Sequence, residues 1–544
     1  MYVVLRFSSS VRLLFKSCVR MVWARPGKST EENERRKGGL YGMTTAMERA
    51  EQTNISSDLH ENVRFVNDLL GIGTTWDIIQ KPFRFGDVHM ATYIMNGFFM
   101  TTHVLILLQN FEKTVGDFVR ERKSDQGFSV HELMEYLNTH LPFVQVQVVD
   151  KMSDAIRFIL SGPMVTFIDG CQDVLLVDTR VYPMRSISTP QVERVIRGPQ
   201  DAFTETMLMN VAMIRRRLRD PRLRIELMQV GTRSQTDVSL LYLQDVTNEN
   251  LVDDIRKKLK AINVDALAMA DQAVTELIGN VKWNPYPIVR FTERPDVATT
   301  ALLDGHVLIV VDTSPEVIIA PITFFQHLQH PEEYHSNPAL GTFLRWVILL
   351  AVISSIFMPG VFLVVNAHPD IMPKQLNFFI ASRADPLPLW VELIVADIAL
   401  DILRLALVNT PATLASGVSI VAALLFGQFS TQIHLLQPEV LVYMGFVMTA
   451  QFATTSFELA MANELSRYWI IVCTALFRGW GLLFATVVWF VVLSRTKSFG
   501  IPYLWPLIPF QWRNGMREIL FRRPISSVTG RPPVFKPKHM RRKG

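Results

Sequence analysis

Residues 344–365 read LRWVILLAVISSIFMPGVFLVV, with one charge, Arg345, at the edge where a long side chain reaches water. A helix needs about 20 mostly apolar residues to cross the hydrocarbon core of a bilayer, and this stretch supplies them. Two further stretches pass the same test. Residues 412–436 (ATLASGVSIVAALLFGQFSTQIHLL) carry no formal charge, and residues 468–493 (YWIIVCTALFRGWGLLFATVVWFVVL) hold Arg478 near the middle. Residues 440–457 (VLVYMGFVMTAQFATTSF) are shorter and more polar but long enough. Composition agrees: 49% of the 544 residues are hydrophobic and 19% charged, against about 25% charged in a soluble average.

A fifth stretch, residues 389–408 (LWVELIVADIALDILRLALV), contains Glu392, Asp397, Asp401 and Arg404. Four charges at a helix centre cost on the order of 10 kcal/mol, more than the apolar residues return at about 0.3–0.6 kcal/mol each. Helical spacing puts Asp397, Asp401 and Arg404 on one face. An amphipathic interfacial or re-entrant helix is therefore expected. Four spans (about 344–365, 412–436, 440–457 and 468–493) then place both chain ends on one side. The basic tail makes that side cytoplasmic.

The net charge of +5 hides an asymmetry. Residues 1–42 carry +6 and residues 511–544 carry +9, leaving −10 for the rest. The basic balance belongs to the tails, which argues against a nucleic acid as partner of the folded body. Residues 1–42 read as a disordered basic leader or as sequence upstream of the true start, since Met43 and Met47 both precede the first foldable stretch. The Pro-rich basic end of residues 496–544 reads as a disordered cytoplasmic tail. Cys18, Cys171 and Cys473 are too far apart and too few for a disulfide framework or a zinc site.

Between the tails and the spans, residues 43–340 look mixed α/β. Two passages match: SDAIRFILSGPMVTFIDGCQDVLLVD (153–178) and PDVATTALLDGHVLIVVDTSPEVIIAP (295–321). In each, a helix leads through Gly into a buried strand ending in Asp, Asp169 or Asp312, and a second apolar strand follows. Upstream lie two strand-to-helix units, one with Asn96 and one with Asp245. A duplication is expected, giving subdomains over 43–190 and 191–340, with a membrane domain over 341–495. The fold class is thus an α/β cytoplasmic region of two related subdomains plus an α-helical polytopic membrane domain.

The run IRRRLRDPRLR (214–224) tests the nucleic-acid reading directly. A helix starting at Gly198–Pro199 puts Phe203, Met207, Val211, Ile214 and Leu218 on one apolar stripe. Arg215, Arg216 and Arg219 fall roughly opposite, as a solvated or subunit-contacting face. No catalytic motif stands: GIGTTW (71–76) has Trp76 where a dinucleotide loop needs its third Gly. No cofactor is expected. His327, His330 and His335, near Glu332 and Glu333, read as a polar junction before the first span rather than a metal site. The intramembrane ionisable residues are the functional candidates, because such charges by default face a cavity, a pore or a partner. They are Asp397, Asp401, Arg404, Glu458 and Arg478, with Glu464 where the third span ends.

Three long stretches carry a family resemblance: ERVIRGPQDAFTETMLMNVAMIRRRLRDPRLR, NPYPIVRFTERPDVATTALLDGHVLIVVDTSPEVIIAPITFF and SFGIPYLWPLIPF. They resemble the signature stretches of the A-subunit family of spore germination receptors (GerA-type). TSPEVIIAPITFFQHLQHPEEYHSNPALGTFLRWV is similar to the stage V sporulation AF branch of that family. The resemblance spans about residues 55–515. It implies a protein of the endospore inner membrane whose copies assemble into a channel releasing ions early in germination. It implies B-type and C-type subunits as partners or, in the AF branch, a small membrane partner. The expected function is that of an oligomeric channel subunit passing monovalent ions, in contact with membrane lipids. The alternative is a non-conducting scaffold docking germination partners through its cytoplasmic region.

Overall fold

The computed structural model describes residues 46–99, 101–122, 129–141, 145–180, 189–190, 193–279, 283–371, 380–381 and 387–542. The leader expected over 1–42 and Met43 lie outside them. The chain divides into Met1–Gln52, whose described part is helix α1 (Ala46–Gln52), and Thr53–Gly544, which holds everything below.

Two α/β subdomains follow one another with the same element order. The first runs α2 (Leu59–Leu70), β1 (Ile78–Phe85), β2 (Val88–Met95), α3 (Thr101–Glu121), α4 (Val130–His140), β3 (Val146–Val149), α5 (Met152–Ser161), β4 (Met164–Ile168) and β5 (Val174–Val177). The second runs α6 (Met207–Arg217), β6 (Leu223–Val230), β7 (Thr236–Leu243), α7 (Glu249–Lys260), α8 (Ala270–Gly279), β8 (Arg290–Thr292), α9 (Pro295–Asp304), β9 (Val307–Val311) and β10 (Val317–Ala320). The sheets are ordered β1-β2-β4-β5-β3 and β6-β7-β9-β10-β8, antiparallel throughout, so each strand of one has its counterpart in the other. β4 and β9 are buried along their whole length, which is why MVTFI and VLIVV read as unbroken apolar runs. Gly162 and Gly305, at φ 107° and 99°, end α5 and α9 in a left-handed conformation that only glycine adopts cheaply.

The duplication extends to single hydrogen bonds. Asn62 in α2 accepts from Ser56 N and donates to Ser56 O, at 2.9 and 2.6 Å. Asn210 in α6 repeats both bonds with Thr204, at 2.7 and 2.6 Å. Asp169 accepts from Leu59 N and Asp312 from Met207 N, so each strand-end aspartate holds the first amide of its own subdomain's leading helix. The amide bonds Asn96 N to Asp77 O and Gln244 N to Arg222 O match, which makes Gln244, not the expected Asp245, the counterpart of Asn96.

The same bonds correct the start of the arginine helix. α6 begins at Met207, not at Gly198–Pro199, because Asp312 and the Asn210–Thr204 brace fix its first turn from a distance. The apolar stripe is nonetheless used: Phe203, Met207, Val211 and Ile214 are buried in one core that continues into the helical region.

That region contains α10 (Pro338–Ala367), α11 (Leu389–Asn409), α12 (Ala412–Ala422, continued by a π-helical turn and Ser430–Gln432), α13 (Pro438–Phe452) and α14 (Phe457–Arg495). Pro338–Ala367, Thr413–Gln432 and Phe457–Arg495 are long and apolar enough to cross a membrane. α14 is not one rod. Arg478, at φ 52° and ψ −132°, breaks it. Beyond the break the chain returns along itself: the Tyr286 hydroxyl bonds Ser466 Oγ at 2.7 Å and accepts from Trp489 Nε1 at 2.5 Å. Leu482 and Ile470 both close on Gly360 of α10. A Cβ on Gly481 would lie 1.9 Å from the Cys473 carbonyl, so the reversal needs glycine there.

α14 is therefore a helical hairpin with arms of about 31 and 25 Å, each close to the roughly 30 Å hydrocarbon thickness. The expected mid-span position of Arg478, costing about 2.5–3.5 kcal/mol, gives way to an exposed position at the hairpin tip. The backbone strain of a non-glycine residue there is on the order of 1–3 kcal/mol. Arg478→Gly is expected to raise the midpoint of thermal unfolding in detergent; a fall would show that the guanidinium itself holds the tip.

Among the described residues, α10, α11, α12, α13 and the two arms of α14 thus run alternately away from and toward the α/β region, α11 antiparallel to the first arm of α14. α11, expected to be amphipathic, packs against its neighbouring helices with Glu392 and Asp397 buried. The expected disorder of the tail is corrected. Phe535 is buried against His306, Arg531 donates to Leu303 O at 2.7 Å, and Arg542 pairs with Asp304. These cations sit on the C-terminus of α9, where the helix dipole and its free carbonyls favour them.

Candidate functional site

The candidate site is a charge network buried among the helices. Asp397 in α11 faces Arg467 in the first arm of α14, and Arg467 Nε and Nη2 donate to its two oxygens at 2.8 Å each. Both side chains are 1% exposed. Arg467 also donates to Ser355 O of α10 at 3.2 Å and to Gln451 Oε1 of α13 at 3.1 Å. Gln451 Nε2 in turn donates to Glu464 at 2.7 Å. Arg404, one helical turn beyond Asp401 and two beyond Asp397, lies 3.2 Å from Asp401 and 3.8 Å from Glu464. The Tyr468 hydroxyl donates to Asp401 at 3.4 Å.

One arginine thereby ties four helices, and Gln451 links the two guanidinium centres through Glu464. This arrangement answers the cost that made α11 look interfacial. Isolated charges are what the ~2.5–3.5 kcal/mol apiece describes; a bidentate pair with its remaining donors satisfied repays much of that. Three carboxyl groups (Asp397, Asp401, Glu464) face two guanidiniums (Arg404, Arg467), so the acidic groups outnumber the basic ones by one. Asp401 and Arg404 are 18% and 15% exposed, so the open end of the network is theirs.

Of the expected candidates, the structure brings Asp397, Asp401 and Arg404 together and leaves two outside. Glu458 accepts from Ser456 Oγ at 2.8 Å at the start of α14, and Arg478 sits at the hairpin tip. Arg467 and Gln451 were not singled out from sequence. Arg467 directly precedes the apolar stretch that begins at Tyr468, so hydropathy trims it away. Its spacing from Glu464 was the available signal, since i and i+3 share a helix face. Gln451 is neutral and sits inside an apolar stretch, where no charge-based search reaches it.

Glu458 belongs to a second setting, the junction with the second subdomain. Burial, with Asp271, Glu458 and Glu293 nearby, pushes Glu316 up to about 7 from its ordinary 4.5. The folded state then holds a proton between pH 4.5 and 7 that the unfolded chain has released. Stability falls as pH rises through that window, and the full cost is present above it. Glu316→Gln is expected to flatten the decline in melting temperature between pH 5 and pH 8; an unchanged slope would place the titration elsewhere.

The arginine run has a structural task. Arg215, expected on a subunit-contact face, is 1% exposed and bonds Asp77 through Nε at 2.8 Å and Nη2 at 3.2 Å. Arg219 donates to Ser161 Oγ and Arg224 to the carbonyls of Leu69 and Leu70. Arg216 is exposed. Arg215 is thus corrected from an outward face to an internal clasp between the subdomains, because its partner Asp77 lies at the start of β1, remote in sequence. GIGTTW forms the turn after α2, and Trp76 donates to Ser239 Oγ across the same boundary. The histidines disperse: His335 approaches Asp296 at 3.4 Å, the His327 ring lies tilted to Tyr503 with centroids 6.1 Å apart, and Glu333 pairs with Arg345 at 2.7 Å.

Duplicated α/β subdomains joined to a helical bundle with an internal charge network define a polytopic membrane protein. The chain matches the family described as Bacillus/Clostridium GerA spore germination protein over residues 67–534, and it belongs to that family. It is 35% identical to stage V sporulation protein AF of Bacillus subtilis (strain 168), over 90% of this chain and 98% of that protein. It is 31% identical to spore germination protein KA of the same organism, over 85% and 84%. The crystal structure of the N-terminal domain of the A subunit of the Bacillus megaterium spore germinant receptor GerK3 aligns with a TM-score of 0.37 at 27% identity. That alignment covers 50% of this chain and 98% of that domain.

Proposed function

We propose that copies of this chain assemble into an ion-conducting channel of the spore inner membrane that promotes or amplifies ion release during germination. The six helical segments cross the bilayer, and an even number leaves the α/β region and the basic tail together on the cytoplasmic face. One chain of six segments makes a poor pore alone, so conduction needs an oligomer. B-type and C-type subunits, or a small membrane partner, accompany it.

The observation that supports this reading most is the surplus carboxyl group at the partly open end of the network. Asp401 and Glu464, sharing Arg404, favour cations over anions in a path beside them. Asp397 and Arg467 serve instead as the ion pair that holds the helices in place. Its complete burial favours the second reading, a scaffold whose membrane part only anchors the docking region.

Ion flux from liposomes holding the purified protein, with its oligomeric state measured in the same preparation, separates the two. Flux from an oligomer, altered by Asp401→Asn while assembly survives, supports the channel. A folded oligomer without flux, with and without a candidate partner, supports the scaffold.

A further inference from the structure

A cavity of about 640 Å³ opens between the two arms of the α14 hairpin, at the end next to the second subdomain. Ser466 and Trp469 of one arm and Trp489 of the other line it, with Trp283 and Tyr286 from the loop before β8, and Arg495 stands at its mouth. The volume is that of sites holding a small ligand or one lipid chain, which run about 300–1,000 Å³. Its walls are mostly apolar and aromatic.

We propose that this groove binds one anionic phospholipid, with an acyl chain between the arms and the phosphate at Arg495. The placement argues for lipid: the arms are the apolar hairpin, so the groove opens toward bilayer rather than toward water. Trp283 is 96% exposed, an unfavourable position in water and a favourable one among headgroups, where tryptophan and tyrosine concentrate. From Val488 to Thr496 the wall extends about 12 Å along the helix, close to one leaflet of a roughly 30 Å core. Charge selects the headgroup. Arg495 is exposed and has no ion pair or hydrogen bond among the described residues, and Lys497 is exposed just beyond it. A guanidinium at the polar end of an apolar slot matches a phosphodiester that brings no cation of its own. Thr496, held by Asn284 Nδ2 at 2.8 Å, fixes the arm's end and so the position of Arg495.

The inference requires the hairpin to lie in the membrane but not the protein to conduct, so it stands or falls apart from the channel reading. The test is native mass spectrometry of the full-length protein in detergent, titrated with phosphatidylglycerol and with phosphatidylcholine. One tightly retained phosphatidylglycerol per chain is expected. Arg495→Gln, at an exposed position, should lower the preference for it about fivefold, the weight of one cation at a charged surface. Val492→Trp, which fills the groove and leaves Arg495 in place, should remove the retained lipid altogether. Equal retention of the two lipids by the wild type would overturn the proposal. So would two variants that bind like the wild type, or release of the lipid by inorganic phosphate at equal concentration.

Discussion

Arg467→Met is expected to destabilise the helical region by about 3–5 kcal/mol, the cost of leaving one partner of a buried ion pair without the other. The substitution keeps an unbranched side chain of similar reach, so the loss is electrostatic. Asp397, 1% exposed, is left buried without a counterion. Ser355 O and Gln451 Oε1 lose their donor as well. The expected readout is a steep fall in the temperature at which half the protein survives as a monodisperse peak in detergent. The double variant Arg467→Met/Asp397→Leu separates pairing from a general packing defect. Two apolar groups can replace a buried pair at little cost, so the double variant should recover most of the loss. A single variant within about 1 kcal/mol of the wild type would refute the role assigned to the pair.

The second large effect is expected at the boundary between the subdomains. Arg215→Ala removes the bidentate bond to Asp77 and the bonds to Leu223 O and Asp220 O, all on a side chain 1% exposed. A loss of about 3–5 kcal/mol follows from the same argument. It should appear as faster amide hydrogen exchange in the turn over 71–77 and in the first residues of β6. Arg216→Ala, one residue on and exposed, should change stability by about 1 kcal/mol or less. Equal effects from the two would mean that the run acts through its total charge rather than through one clasp.

Much of the architecture was legible in advance, because it rests on patterns confined to neighbouring residues. An apolar run of twenty residues needs no partner to be recognised. The sequence of helix, glycine, strand and aspartate at 153–169 and 295–312 exposed the duplication, since each element's period and cap are written locally. The apolar stripe through Phe203, Met207, Val211 and Ile214 was legible for the same reason. Its helix start was not, because the acceptor that fixes it is Asp312, a hundred residues away.

The candidate site divides along the same line. Asp397, Asp401 and Arg404 stand out alone, as charges in an apolar helix. Their meaning depends on Arg467 and Gln451, which come from two other helices. The energy of a charge in a low-dielectric setting is set by what lies within a few ångströms, and sequence spacing does not report that across helices. Composition and periodicity determined that this is a membrane protein with a duplicated α/β region. Only the tertiary structure decided that residues 389–408 turn inward and that Arg215 is a clasp. It alone bent the last apolar stretch at Arg478 into a hairpin, because one backbone conformation and one glycine contact outweigh an otherwise continuous helical pattern.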